Sequence, residues 1–535
     1  MFHQLLTPVG GNLALSSLVA LLPIATLLVV LGVLKRAAWQ AALLGLALAL
    51  VIAVTIWGMP VRMALASAAA GATFAVWPVM WIVINALFLY NIAVASGRFE
   101  AFRDWVVAHL PNDRRVILIV IGFCFGALLE GIAGFGAPVA ITASLLIVVG
   151  FSAFDALVFV LIFNTTPVAF GALGAPVTVL AAVTGLPAPA LAAMIGRQLP
   201  LMAMILPFYV MVLYGGWRSI RELWPVLATA GVSFGLAQFA ASNYLDYTLT
   251  DVLAALASLI VTVLFLQVWR PTEKSEFRIE RPLDRPVAAQ RRSGTWQGWL
   301  PWLIVSATVI LWSSFKVARI GQLDIPWPGL DKTVAITLYH DKPYAAVWAF
   351  QPLGTGTAIL LAALITALLV RLPAGELLRC MVRTARQIWL AVVTVMLVVA
   401  LAYVMNYAGL AYTLGLAVAS SGRAFILLSP FLGWIAVFLS GSDTSGNALF
   451  GNLQVVAARQ LHLNPLLFAA TNSSGGVLGK MISPQNIATG VSVTDLKGKE
   501  GAVLARTFLH SIVLTLMLVV IVIVQQYVVP GIIPH

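Results

Sequence analysis

The sequence predicts an all-α polytopic membrane protein: about twelve transmembrane helices plus two re-entrant hairpins, arranged as inverted-topology repeats with broken helices. Three observations carry that prediction. Of the 535 residues, 61% are apolar and only 9% charged, against roughly 25% charged residues in a soluble domain. Apolar runs of about 20 residues, enough to span a ~30 Å hydrocarbon core, recur along nearly the whole chain. Two further apolar stretches are interrupted by glycine-rich or polar centres, and their surroundings repeat one another. The lipid bilayer is therefore the main solvent.

Runs able to cross outright lie near 13 to 33, 38 to 57, 63 to 95, 154 to 183, 189 to 214, 224 to 242 and 250 to 269. More follow near 299 to 315, 351 to 370, 387 to 407, 465 to 495 and 503 to 529. The interrupted stretches are 116 to 150, centred on Glu130-Gly-Ile-Ala-Gly-Phe-Gly-Ala-Pro138, and 424 to 460, centred on Gly441-Ser-Asp-Thr-Ser-Gly-Asn447. Each reads as one kinked crossing or as a hairpin, and the excess of Lys and Arg in cytoplasmic loops chooses between them. With the first as a hairpin, Lys35 and Arg36, Arg114 and Arg115, Arg218 and Arg221, the 270 to 292 loop and Arg371 to Arg386 all face the cytoplasm. With it as a crossing, Arg218, Arg221 and the seven Lys and Arg of 270 to 292 move outside. The hairpin reading is adopted. The second hairpin then enters from the periplasm, Lys497, Lys499 and Arg506 lie inside, and both termini lie outside.

This divides the chain into an N-terminal half, 1 to 270, a solvated cytoplasmic linker, 271 to 298, and a C-terminal half, 299 to 535. The first half holds hairpin 116 to 150 and broken helix 154 to 183; the second holds hairpin 424 to 460 and broken helix 465 to 495. The stretch 316 to 350, with its Trp and Tyr residues, reads as a periplasmic loop, and its His340 as surface decoration. The net charge of +12 arises from the short basic loops, so no nucleic acid partner is expected. Cys124 and Cys380 both sit in or beside apolar runs and read as packing residues. No basic region and cleavage site precede the first apolar run, so no signal peptide is expected.

The duplication shows in particular residues. Asn164-Thr-Thr-Pro167 and Asn472-Ser-Ser-Gly475 lie 308 positions apart; each is followed by Gly seven positions on (Gly171, Gly479) and Pro twelve on (Pro176, Pro484). Glu130-Gly131 with Gly136 matches Ser440-Gly441 with Gly446, and Asn91 to Gly97 is weakly similar to Asn406 to Tyr412. Opposed hairpins make the repeat inverted, an architecture of secondary transporters that places the site near the midplane, where broken helices meet. Unwound backbone survives in lipid only where it is buried or lines a cavity. Gly171, Gly174 and Pro176 are expected to interrupt one span, and Gly475, Gly476, Gly479 and Pro484 its partner. Candidate substrate ligands beside those breaks are Asn164, Thr165, Thr166, Asn472, Ser473, Ser474, Gln485 and Asn486, with hydrogen bonding between packed helices as their alternative role. Gly134 and Gly136, and Ser442, Thr444 and Ser445, form the hairpin tips.

Three ionisable residues fall at membrane depth, where a charge costs on the order of 2.5 to 3.5 kcal/mol on insertion scales and by default marks a site. Glu130 and Asp443 are candidates for proton coupling, and Lys480 is the candidate cation for a substrate carboxylate. A direct ion pair of one acid with Lys480 is the alternative. Asp155, at the start of a span, reads as a helix-start residue.

In these same segments the sequence closely resembles the lactate permease family. The stretches that carry the resemblance are Gly126 to Pro138, Phe163 to Pro176, Gly441 to Gly451 and Asn472 to Asn486. The resemblance implies carriage of lactate, often also glycolate, with protons, across the bacterial cell inner membrane and without a cofactor. More distantly the hairpins look like those of the ion-transporter superfamily, where Ser-Asn-Thr tips bind sodium. Ser442-Asp-Thr444 is a partial echo of that motif and Gly134-Phe-Gly136 lacks it. A sodium-coupled carboxylate symporter is the rival reading. H-E-x-x-H does not occur, and the one G-x-S-x-G match, Gly231 to Gly235, lies inside an apolar run; no metal site and no enzyme are expected. Monomer and homodimer both fit the sequence.

Overall fold

The computed structural model describes residues 1–34, 36–132, 134, 137–271, 275–278, 295–492, 494, 496 and 498–534. Gly136, Lys35, Lys497 and most of the 271–298 linker lie outside the described residues. Long apolar helices dominate, among them Leu13–Gly32, Ala38–Thr55, Ala374–Ala408 and Glu500–Tyr527. Leu18, Leu44 and Val51 are exposed. They face outward because lipid, unlike water, accepts an apolar surface; this is a polytopic membrane protein.

Among the described residues, nine helices are long and apolar enough to cross a membrane, or ten if a bent pair counts as one span. The sequence suggests twelve crossings. The nine include two helices of the interrupted stretches, Arg114–Ile132 and Gly422–Ser440. Among the twelve runs, two share one stretch, one is the bent pair, and three, including 465 to 495, form helices too short to be counted. The runs near 189 to 214 and 224 to 242 lie in one stretch of 57 residues, Ala188–Tyr244. Gly216 breaks it at φ 66° and ψ −175°. Leu300–Ser314 and Thr355–Leu369 have 15 residues each, about 22 Å of helix at 1.5 Å per residue, shorter than a ~30 Å core.

Both interrupted stretches are pairs of helices. In the first, Arg114–Ile132 is followed by Ala137–Val148; in the second, Phe425–Ser440 by Asp443–Gln460. Left-handed glycines stand at the two turns, Gly134 at φ +53° and Gly441 at φ +71°. The run Arg114–Ile132 is buried throughout, so its irregular end is shielded from lipid as the backbone requires. The first broken span, Ala153–Phe163 and Val168–Thr184, bends by 64°. Ala172, Leu173 and Gly174 all hold left-handed conformations there. Asp155 lies in its first turn, capped by Ser152, whose Oγ accepts from the Asp155 amide at 3.0 Å.

The second broken span departs from expectation. Gly475, Gly476 and Gly479 do not interrupt it, because Pro465–Lys480 is one continuous helix and the break falls at Met481–Ser483, before Pro484–Ser492. Those glycines serve close packing instead. A Cβ at Gly475 would stand 2.1 Å from Pro430 O, and one at Gly479 would stand 2.2 Å from Trp434 O. Phe425–Ser440 and Pro465–Lys480 thus touch backbone to backbone, as small residues permit in membrane helices.

The halves interlock. Asp443–Gln460 packs on Gly171–Thr184, and Ala137–Val148 packs on Pro484–Ser492. The 316 to 350 stretch is more than a loop: Leu323–Pro326 pairs antiparallel with Val347–Phe350, and Val334–Ile336 pairs antiparallel with Lys342–Pro343. The N-terminal strand Phe2–His3 runs parallel to Val334–Ala335. His340 is exposed, and Cys124 and Cys380 are buried free thiols.

Candidate functional site

Glu130 lies at the inner end of Gly126–Ile132, one helix turn before the tip of the first interrupted stretch. It reaches into the partner half: Lys480 Nζ donates to Glu130 Oε1 at 2.6 Å, and both side chains are buried. Asn164 Nδ2 donates to Glu130 Oε2 at 2.9 Å. Asn164 can reach because the helix Ala153–Phe163 ends there. The unwinding that follows brings Gly171 against the carboxylate, where an added Cβ would sit 3.1 Å from Oε1. Tip residue Gly134 rests on Ala172 in the same unwound segment. The first break therefore shapes the seat of the ion pair.

Asp443 stands nearby in the first turn of Asp443–Gln460. Its Oδ2 accepts from Ser473 Oγ at 2.6 Å and from Asn447 Nδ2 at 3.2 Å. Those donors come from the adjoining broken span and from the next turn of its own helix. The tip residues do other work: Ser442 is the helix cap, accepting from the Ser445 amide at 3.4 Å, while Thr444 and Ser445 are buried. Asn447 also donates to Pro176 O at 3.2 Å, tying the second hairpin to the first broken span. Asn472 Nδ2 donates to Asn447 Oδ1 at 2.9 Å, and Gln454 Nε2 donates to Asn472 Oδ1 at 2.9 Å. A hydrogen-bonded row of amides thus runs beside the acid.

The remaining candidates divide. Thr165 and Thr166 donate to carbonyls of their own helix, Ile162 O at 2.7 Å and Phe163 O at 3.2 Å, and so cap the break. Ser474 is buried with an unpartnered hydroxyl. Asn486 Nδ2 donates to Gly441 O at 3.1 Å, fastening the second tip to the second break. Gln485 is exposed. No group of three or more His, Cys, Asp or Glu side chains positioned for a metal occurs among the described residues.

Sequence reasoning missed Asp251. It is wholly buried in the first turn of Thr250–Val268, and neither carboxyl oxygen has a hydrogen-bond partner. Its Cβ would lie 2.9 Å from a Cβ on Gly131, the residue after Glu130. The signal was an acid directly preceding an apolar run, which reads as an ordinary helix start until the fold shows that this helix begins inside the protein.

A cavity of about 690 Å³ lies away from these charges, lined by Tyr344, Tyr403, Tyr407, Tyr412, Asn406 and Arg459 among others. It also reaches Thr184. That is the far end of the helix that follows the unwound residues Ala172 to Gly174, next to Gly171 and Glu130. The cavity's lining is aromatic with exposed basic groups, Lys342 and Arg459, and holds none of Glu130, Asp251, Asp443 and Lys480.

A polytopic all-α membrane protein with an ion pair buried between interlocked halves belongs to the class of membrane carriers. A family model described as L-lactate permease matches residues 16–529, and the chain belongs to that family. It is 42% identical to the L-lactate permease of Escherichia coli strain K12, over 98% of both chains. It is 39% identical to the L-lactate permease of Bacillus subtilis strain 168, over 99% of both. It is 40% identical to the glycolate permease GlcA of Escherichia coli K12, over 99% of this chain and 98% of that one. Among solved structures, the YdaH transporter of Alcanivorax borkumensis is similar over 83% of this chain and 84% of its own, at 13% identity and a TM-score of 0.40, too low to bear on the fold. The relatives are permeases, so the chain is a transporter and not an enzyme.

Proposed function

We propose that the protein imports lactate, with glycolate and other small 2-hydroxymonocarboxylates as further substrates, by proton symport across the inner membrane of a bacterial cell. The names of the relatives support the substrate class. The observation that carries the mechanism is the buried contact of 2.6 Å between Glu130 and Lys480.

In a dry site one ammonium neutralises one carboxylate, and in the empty carrier Glu130 occupies Lys480. A proton arriving on Glu130 removes that charge and releases the ammonium to a substrate carboxylate. The empty site, Glu130 carboxylate with Lys480, is neutral as a pair. The loaded site, protonated Glu130 with Lys480 and the bound anion, is neutral as well. A proton without lactate leaves a bare cation, and lactate without a proton leaves a surplus anion. Either half-loaded state buries an uncompensated charge at several kcal/mol. Only the empty and fully loaded forms reorient readily, which is the condition for coupling.

Asn164, freed by the break in its helix, holds the second oxygen of Glu130 and keeps the carboxyl in place when Lys480 leaves. The inverted repeat supplies the movement: each half presents a hairpin to the broken span of the other, so rocking of one half against the other carries the site between the two faces.

Radiolabelled lactate uptake into proteoliposomes under an imposed pH or sodium gradient tests the reading, with glycolate, pyruvate and acetate as competitors. Accumulation is expected to follow the pH gradient, without sodium, and to be competed by glycolate. Accumulation that follows sodium and ignores pH would replace it with a sodium-coupled carboxylate symporter.

A further inference from the structure

Asp251 has no part in the cycle just described, yet it has the surroundings of a group that handles charge. It is fully buried, and neither carboxyl oxygen receives a hydrogen bond. It packs against Gly131, beside Glu130. The charged groups that face it are Glu130, from Gly126–Ile132, and Lys480, from Pro465–Lys480. The other elements packed on its helix are Leu199–Tyr244, Leu118–Phe125, Gly171–Thr184 and Leu300–Ser314. Among the described residues they add no further charged group to it. Tyr247, on the preceding turn, is engaged with Thr178 at 3.1 Å. A carboxylate without donors, next to a second carboxylate, is far more costly in such a place than a neutral carboxyl, which leaves only unpaired polar atoms.

The position of Asp251 along the chain gives the proton a route. Five residues upstream, Asp246 lines a pocket of about 330 Å³ together with Lys316 and Arg319. That pocket opens on the face predicted to be periplasmic. Asp246 Oδ1 accepts from the Thr248 amide at 2.9 Å and from its hydroxyl at 2.7 Å, which fixes the short turn leading inward. Asp246 at the pocket thus lies five residues before Asp251, and Asp251 packs against the residue that follows Glu130. Intramembrane chains of acids of this kind conduct protons.

We propose that Asp251 is a proton-relay site between the periplasmic pocket and Glu130, an inference that rests on Glu130 being the coupling group. The O–H bond of Asp251 breaks and an O–H bond forms on Glu130, directly or through one water, and Lys480 is thereby released to the substrate carboxylate. The electron pair stays on Asp251, which is then reprotonated by a proton that hydronium delivers to the pocket beside Asp246, leaving water there, and that passes inward along the turn to Asp251. The net result is one proton moved inward and Asp251 restored.

The test uses full-length protein in proteoliposomes containing a trapped pH-sensitive dye. In wild type an inward lactate gradient acidifies the lumen. Asp251→Asn is expected to slow that acidification on the order of a hundredfold, the low end of what a positioned proton donor contributes. Exchange of labelled lactate between equal pools needs no net proton entry and is expected to persist. Asp251→Glu restores a titratable group and is expected to recover acidification. Wild-type acidification by Asp251→Asn would overturn the relay. So would loss of lactate binding and exchange in both variants, which would make Asp251 a packing residue. If wild type itself failed to acidify the lumen, the symport reading would fall and the relay with it, a result distinct from either outcome at Asp251.

Discussion

In the proposed cycle Lys480 serves two carboxylates, that of Glu130 in the empty carrier and that of the substrate in the loaded one. Lys480→Gln alone is a poor test, because breaking a buried pair from one side costs about 3–5 kcal/mol and would confound binding with folding. Glu130→Gln combined with Lys480→Gln removes both charges and leaves polar groups of similar size. This double variant is expected to fold and to bind lactate roughly 10- to 150-fold more weakly, the loss of one charged hydrogen bond worth about 1.5–3 kcal/mol. Titration calorimetry on purified protein checks it, and unchanged affinity would relegate Lys480 to structure. Glu130→Gln alone unpairs Lys480 as well and is read only in protein shown to be folded. It mimics the protonated form and is expected to lose uphill, pH-driven accumulation while keeping lactate exchange. Wild-type accumulation by well-folded Glu130→Gln protein would eliminate Glu130 as proton carrier. Glu130, Asp443 and Lys480 are legible in the sequence because a charge inside an apolar run has no ordinary explanation. The donors to Asp443 are not, since Ser473 is 30 residues away in the chain and only the fold brings it closer than the neighbouring tip hydroxyls.

At the scale of elements, interrupted hydropathy located both helix pairs and the first broken span, since glycine and proline inside an apolar run leave a local mark. It misplaced the second break. The glycine pattern 475, 476, 479 reads as unwinding, yet the same pattern lets two helices approach, and nothing local separates these outcomes. What decides is the neighbour: Gly433 of Phe425–Ser440 would itself place a Cβ 2.0 Å from Asn472 O, so the glycines of the two helices form one seam. Gly479→Ala is expected to force that seam apart and destabilise the protein by about 1–3 kcal/mol, as overpacking does. The change also displaces Lys480, the next residue, and so is expected to weaken lactate binding. Gly501→Ala, where a Cβ would meet nothing within 4 Å, is the control. Equal melting temperatures for the two variants would show that the seam yields without strain.

At the scale of the molecule, the orientation of the halves decides which face loads the proton, and the distribution of buried ion pairs bears on it. Arg115 is wholly buried, pairs with Asp113 at 2.7 Å and Glu222 at 2.8 Å, and lies over the Phe277 ring at 4.2 Å. Arg114 Nη2 donates to Glu276 O at 2.9 Å. The segments around 114, 222 and 277 therefore meet at one end of the molecule. A single crossing through 116 to 150 would assign 114 and 222 to opposite faces, whereas a re-entrant hairpin assigns them to the same face. At the other end Asp246 lines its pocket with Lys316 and Arg319, as that topology requires of 243 to 249 and 316 to 350. Seven basic residues between 270 and 292 are the ground for expecting the first end to be cytoplasmic. Ser275→Cys and Thr337→Cys, each placed in a background lacking Cys124 and Cys380, are expected to differ toward a membrane-impermeant maleimide on intact spheroplasts. Position 337 is exposed and should label directly, whereas position 275 should label only after the membrane is opened. Labelling at 275 alone would invert the molecule, and would require the pocket beside Asp246 to deliver its proton from the cytoplasm.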